Sequence, residues 1–198
     1  MKKFLIYGIS CCFLLGIELD EFSKLRDWVN LQEKPVKIDW LQNGDYPYSR
    51  AQKIFNFDIL KISHMIQDLD LYPNIFKRVM EIDRLEKDVV KIMLKMPFPF
   101  ARRDYIVKYK IKKTLNQWIF SFKAIEHPNG LVEPGIVRLN NASGIWVLKK
   151  LSENKTHVTY SWNGELLGNF PDFGLKKAWI TQGTEVLNWL GEALSNKN

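Results

Sequence analysis

Apolar residues recur along this chain at two different periods, and the changes of period mark out its elements. Over residues 19–31, Leu19, Phe22, Leu25, Trp28, Val29 and Leu31 fall near helical spacing, with Asp20, Glu21, Lys24 and Asp27 on the other side, which predicts an amphipathic first helix. Extended segments follow at 36–40 and 47–56, joined by the hairpin-type turn Asn43-Gly44-Asp45. Helical spacing returns over 57–69 through Ile59, Leu60, Ile62, Met65, Ile66 and Leu69, with Asp58 placed to cap the start and Tyr72-Pro73-Asn74 beyond the end. From Phe76 alternation takes over and predicts antiparallel strands at 76–85, 88–95, 104–112, 117–124, 135–141, 144–150 and 157–162. Beyond Pro171 the helical period is resumed by Leu175, Ala178, Trp179, Thr184, Val186, Leu187, Trp189, Leu190 and Leu194. Gly183 lies inside that helix at a cost of about 1 kcal/mol relative to Ala.

Segregated helices and an antiparallel sheet define an α+β domain. No repeat or low-complexity linker divides it, and the Pro/Gly-rich stretch 127–135 is a loop too short to separate domains. Alternation also assigns faces. It puts Arg103, Tyr105, Val107 and Tyr109 on one side of their strand, and Asp104, Ile106, Lys108 and Lys110 on the other, wetter side. Trp146 and Leu148, and then Val158, Tyr160 and Trp162, point inward on the later strands. The adjacent charges Arg103 and Asp104 are expected to form a structural ion pair, because buried charges need partners.

Six fragments in this order resemble the START lipid-transfer domain of the Bet v 1-like (SRPBCC) superfamily, in the form of a bacterial-type single-domain member. They are Ile66-Gln67-Asp68-Leu69-Asp70-Leu71-Tyr72, the proline-aromatic-Arg-Asp-aromatic run from Pro97 to Val107, Val137-Arg138-Leu139, Gly144-Ile145-Trp146-Val147-Leu148, Thr156-His157-Val158-Thr159-Tyr160, and Gly168-Asn169-Phe170-Pro171. The resemblance covers about residues 35–194. It implies a helix-grip fold, in which a curved antiparallel β-sheet wraps around a long C-terminal α-helix and encloses a hydrophobic cavity. It also implies binding, and intermembrane transfer, of a lipid or other hydrophobic small molecule without catalysis. The cavity residues it implies are Phe100, Arg103, Tyr105, Val107, Tyr109, Trp118, Trp146, Leu148, Tyr160, Trp162, Trp179 and Val186. A gate is implied at Leu166, Leu167, Phe170 and Phe173, which would touch an anionic membrane surface with help from Lys176 and Lys177. Some sterol-binding relatives carry inward charges where this chain has Val107 and Tyr109, a departure that counts against a sterol ligand, although a phenol can still hydrogen-bond a hydroxyl or ester.

Composition sharpens this picture in three places. Seven Trp, seven Tyr and twelve Phe in 198 residues supply the material for a wide apolar interior. The net charge of +7 attracts anionic lipid or nucleic acid alike. Its clusters, such as Lys108-Tyr109-Lys110-Ile111-Lys112-Lys113, alternate as the solvated face of a strand does, so the expectation is no nucleic-acid partner. At the N-terminus, Lys2 and Lys3 precede an apolar run from Phe4 to Gly16 and then Glu18, Asp20 and Glu21, the layout of a secretory signal. The run also fits an uncleaved membrane anchor, and Gly8-Ile9-Ser10-Cys11 has a loose likeness to a lipobox. The expected division is therefore residues 1–17 as signal peptide or N-terminal anchor and 18–198 as the lipid-binding domain, exported, periplasmic or membrane-associated, and monomeric. Both cysteines, Cys11 and Cys12, lie in the first segment, which leaves the domain without a disulfide framework or a thiol nucleophile.

Catalytic patterns are missing. His64, His127 and His157 stand far apart without metal-ligand spacing, and there is no nucleophile elbow, phosphate loop or dinucleotide fingerprint. No cofactor is expected. The competing enzyme reading is a polyketide cyclase or aromatase using the same cavity, with Arg103, Tyr105, Tyr109 or Tyr160 orienting a polyketone. It lacks an inward carboxylate or histidine to move protons. An interaction module acting on ribosomes or RNA is a third reading, which rests on the positive charge alone.

Overall fold

The computed structural model describes residues 22, 24–44, 46–163 and 174–196. One ten-stranded sheet carries the fold. Its strands are β1 (Val29–Gln32), β2 (Lys37–Asn43), β3 (Tyr46–Phe55), β4 (Val79–Glu86), β5 (Val89–Leu94), β6 (Arg103–Lys113), β7 (Gln117–Ala124), β8 (Val137–Arg138), β9 (Ser143–Ser152) and β10 (Lys155–Asn163). They lie in the order β1-β2-β3-β10-β9-β7-β6-β5-β4, every neighbour antiparallel, and β8 adds a short parallel pairing to β6. Between β3 and β4 come α1 (Ile59–Gln67), a 3-10 turn (Leu69–Leu71) and the short α2 (Tyr72–Ile75), and α3 (Leu175–Asn196) closes the chain. This is the helix-grip architecture.

Local chemistry explains most of these boundaries. Gly44 takes φ +61° in the β2–β3 hairpin, a conformation open to glycine at no steric cost. Asp58 caps α1: its Oδ1 accepts from the backbone N–H groups of Leu60 at 2.6 Å and Lys61 at 3.3 Å. The buried residues of α3, Trp179, Gly183, Leu187, Leu190 and Leu194, make a single stripe at i, i+4 and i+3 intervals. Gly183 is the point of closest approach to the sheet. A Cβ there would lie 2.6 Å from Ile38 Cδ1 and 3.1 Å from both Ala51 Cβ and Trp162 Cη2. The helix therefore accepts a poor helix former so that its backbone can sit down on β2, β3 and β10.

Several expectations are corrected. The described part of the segment read as a first helix is only partly helical, since Leu25 to Trp28 are irregular and Val29–Gln32 is the edge strand β1. Asp27 has φ 60°, which interrupts a helix. Tertiary bonds then hold the next residues extended. Asn30 donates to Asp39 Oδ1 at 3.0 Å, and Gln32 donates to the Val36 carbonyl at 2.9 Å and to Thr184 Oγ1 at 3.1 Å. The Arg50 guanidinium, bound to Asp39, lies 4.2 Å from the centre of the Trp28 ring. The strand expected over 135–141 shrinks to the two residues of β8, and Tyr72–Ile75 forms a helical turn where none is predicted.

The outer face of β6 also departs from expectation. Arg103 and Asp104 do not pair with each other, because neighbours on a strand point to opposite sides. Asp104 is fully buried and is held by Arg138, Nε to Oδ1 at 2.6 Å and Nη2 to Oδ2 at 2.7 Å, with Lys91 Nζ 4.0 Å away. The segment 125–142 folds over this end of β6 through Ile125 N to Ile106 O at 2.9 Å, Val137 N to Arg102 O at 3.0 Å and Leu139 N to Asp104 O at 2.8 Å. Gly130 sits against Ile106, where even a methyl group would collide. The face expected to be wet is thus dry at Asp104 and Ile106 and becomes exposed only at Lys108 and Lys110.

Candidate functional site

Strand register brings the aromatic side chains of the inner face into one column. Tyr160 on β10 pairs directly with Trp146 on β9, which pairs with Phe120 on β7. Ring centres lie 4.3 Å apart for Trp146–Tyr160 and 4.9 Å for Tyr160–Trp162, both stacked, and Phe76 from the α2–β4 corner reaches Trp146 at 6.1 Å. The other half of the wall is made by Tyr105, Val107 and Tyr109 on β6 and Val90 and Ile92 on β5, with Tyr105 stacked at 6.4 Å on Phe122. A column of this kind fixes a rigid apolar surface at little entropic cost.

Two adjoining pockets open between this wall and the helices. The narrower, of about 120 Å³, is lined chiefly by apolar groups that include Ile66, Leu69, Val90, Ile92, Phe120 and Phe122. The wider, of about 410 Å³, lies toward Met96, Pro97, Phe100 and the first turns of α3. Arg78, Leu94, Tyr105, Tyr160 and Gln182 line both and so mark where they meet. Helix α3 borders them with the face beside its buried stripe: Ala178, Gln182, Val186 and Trp189 point to the pockets while Leu187 and Leu190 pack on the sheet.

The polar groups at the junction have unequal fates. Arg78 is tied down, its Nε 2.6 Å and its Nη2 3.1 Å from the carboxylate oxygens of Glu185. The Tyr109 hydroxyl is also committed, donating to the Lys87 carbonyl at 2.8 Å and accepting from Arg84 at 3.2 Å, so Tyr109 offers the pocket its ring and not its oxygen. Tyr72 donates to the Ile66 carbonyl at 2.9 Å. The hydroxyls of Tyr105 and Tyr160 make no hydrogen bond with any described residue. Burial raises the pKa of Tyr72, Tyr105 and Tyr160, and for Tyr160 the neighbouring Tyr105 and Tyr72 add to the effect. Tyr105 and Tyr160 keep a partial surface exposure that faces the pockets, so desolvation and exposure here are consistent.

Of the residues singled out in the sequence, Tyr105, Val107, Tyr109, Trp146, Tyr160 and Val186 line the narrower pocket, and Phe100, Arg103 and Trp162, again with Tyr105 and Tyr160, line the wider. Leu148 and Trp179 are core residues, Trp179 stacked on Trp40 at 5.3 Å, and Trp118 packs against Phe120 with the Lys113 ammonium 4.0 Å from its ring. None of those three is among the lining residues. Arg103 is almost wholly buried, donates from Nη1 to the Ala101 carbonyl, and stands 5.9 Å over the Phe100 ring. Leu166, Leu167, Phe170 and Phe173 lie outside the described residues. The structure adds a set of lining residues from the α1–β4 corner, Ile66, Leu69, Tyr72, Phe76 and Arg78, that alternation along strands could not supply. The helical spacing of Ile66 and Leu69 marks part of this corner in the sequence, and Tyr72 and Phe76 are an i, i+4 pair with ring centres 4.8 Å apart.

The described lining of both pockets contains no Asp, Glu or His, and among the described residues no cluster of metal-ligating side chains occurs.

No family model matches the chain, and a comparison with curated proteins finds no match. Solved structures do match. Human StAR-related lipid transfer protein 5 superposes with a TM-score of 0.80 over 89% of this chain and 91% of that one, at 14% identity. A STAR-related lipid transfer protein from Xanthomonas axonopodis (fragment 25–204) gives 0.74 over 85% and 99%, at 15% identity. The Zhui aromatase/cyclase from Streptomyces sp. R1128 gives 0.54 over 76% and 94%, at 11% identity. The likeness is one of fold, and it defines the class: this chain has the fold of the START (STAR-related) lipid transfer domains.

Proposed function

We propose that the protein binds a lipid or other hydrophobic small molecule in the paired pockets and carries it without chemical change. The observation that carries this reading is the pair of hydroxyls, Tyr105 and Tyr160, left without partners among the described residues where two largely apolar pockets meet. Ligand pockets of about 300–1,000 Å³ combine apolar linings with a few placed polar groups, and the wider pocket alone enters that range. These hydroxyls open onto the pockets, where a ligand hydroxyl, ester or carboxyl would hydrogen-bond them. Lipid transfer in the names of two proteins of the same fold supports the same reading.

The aromatase/cyclase of like fold marks the competing reading, but its chemistry needs a group that titrates near the working pH. The described lining offers only phenols whose pKa burial raises further. Transient contact with anionic membranes and a monomeric state belong to the carrier proposal, as does export on the strength of Lys2, Lys3 and the apolar run up to Gly16. A neutral acyl lipid bearing a fluorophore tests it, with energy transfer from Trp146 and Trp162 as the signal. Saturable one-to-one binding that is lost in Val186→Trp, a filling of the narrower pocket whose fold is checked by unfolding, is expected. Absence of saturable binding to the intact protein would overturn the reading.

A further inference from the structure

The wider pocket has a charge pattern that carriage of a neutral lipid does not require. Its described lining holds Arg78, Lys95, Arg103 and Lys177 and no acidic residue. Their surroundings separate these four. Arg78 is neutralised by the two-point contact with Glu185 at 2.6 and 3.1 Å. Arg103 is buried beneath the pocket, on β6, where desolvation lowers its pKa. Lys95 and Lys177 are exposed, and their ammonium groups make no hydrogen bond or ion pair with any described residue. They come from separate elements, Lys95 from just beyond β5 and Lys177 from the first turn of α3. That first turn has no acidic residue, so the positive end of the helix reinforces the lysine.

The narrower pocket has the opposite character, chiefly apolar, and it meets the wider one at Arg78, Leu94, Tyr105, Tyr160 and Gln182. A molecule filling both would be greasy at one end and anionic at the other. We infer that the ligand is an amphiphile with an anionic head, carboxylate or phosphate, held between Lys95 and Lys177, and with its hydrocarbon part in the narrower pocket. Coulomb attraction supplies the selectivity for the head, and apolar burial supplies most of the affinity. The inference rests on the carrier reading and adds the chemical class of its cargo.

Four probes at equal low concentration test it on the full chain: oleate, the neutral monoolein, the cationic oleylamine, and inorganic phosphate. Oleate is expected to bind about tenfold more tightly than monoolein at low ionic strength, with oleylamine weakest and the gap closing as salt screens it. Each exposed lysine contributes up to about fivefold, so Lys95→Gln with Lys177→Gln should abolish the preference and leave monoolein binding intact. Both positions are exposed, so unfolding should be unchanged. Lys155→Gln, at the far end of β10 from Trp162, should keep the preference. Equal binding of the three chains, or a preference that survives the double substitution, would overturn the anionic head while leaving the carrier standing. Inorganic phosphate binding as well as oleate would make this a free-anion site and overturn the amphiphile. Failure of every chain to bind would sink both readings.

Discussion

Removing the hydroxyl of Tyr105 or Tyr160 should weaken ligand binding while leaving stability nearly unchanged. Neither oxygen has a hydrogen-bond partner among the described residues, and both phenols are desolvated enough that their pKa is raised. Tyr105→Phe or Tyr160→Phe therefore breaks no bond to the described residues. Each keeps the ring contacts, Tyr105 on Phe122 at 6.4 Å and Tyr160 between Trp146 and Trp162 at 4.3 and 4.9 Å. Both hydroxyls open onto the pockets and are not among the buried side-chain atoms left without a partner, so their removal should change stability by no more than about 0.5 kcal/mol. For a domain of this size that is a change in Tm of at most about 1–2 °C. Binding of a ligand with a polar group should weaken by the worth of one neutral hydrogen bond, about 0.5–1.5 kcal/mol, or about two- to tenfold. Thermal unfolding of the empty protein and titration with a labelled acyl lipid read the two effects separately. A fall in Tm with unchanged affinity would refute the reasoning, because the hydroxyls would then be structural and not held open for a ligand.

Further substitutions probe the frame around the pockets. Asp104→Asn removes the charge that binds Arg138 at two points inside the protein and should cost about 3–5 kcal/mol, seen as a drop in denaturation midpoint; a loss under about 1 kcal/mol would show the pair to be dispensable. Gly144→Ala puts a methyl group 2.4 Å from Phe122 Cζ and 2.8 Å from the Ser161 carbonyl oxygen, so about 1–3 kcal/mol of stability should be lost and the narrower pocket reshaped through Phe122. His157 has its pKa lowered by burial first and by the Lys149 and Arg50 charges after it. The unfolded chain thus takes up this proton first as pH falls through about 6.5, so the stability tied to a neutral His157 is complete above that pH and is lost as pH falls toward the folded pKa. Unfolding of His157→Gln should show a flatter pH slope in that window than the parent, and equal slopes would contradict the burial argument.

Particular residues show why sequence disclosed some of this and not the rest. In β9 and β10 large apolar side chains recur at every second position, Trp146 and Leu148 and then Val158, Tyr160 and Trp162, which makes them legible as inward even though both faces of these strands are buried over much of their length. Helix α3 announces itself by the stripe Trp179, Leu187, Leu190 and Leu194. Long-range partners do not announce themselves. Arg138 lies 34 residues beyond Asp104, and only the fold-back of 125–142 brings it there, so adjacency in sequence suggested Arg103 instead. Periodicity favours a helix through Val29 and Leu31, but Asp27 turns the chain and the Asn30–Asp39 and Gln32–Thr184 bonds capture β1 as a strand, a tertiary override of local preference. An inward direction also does not separate packing from lining. Leu148 points inward and is sealed in the core, while Val107 points inward and faces the pocket.

The central claim is that these pockets hold a hydrophobic cargo, and the most direct test is native mass spectrometry with lipid extraction on protein purified from its own source without detergent. The account predicts a stoichiometric hydrophobic adduct, released on denaturation. A bare protein that takes up no amphiphile when offered one would contradict it.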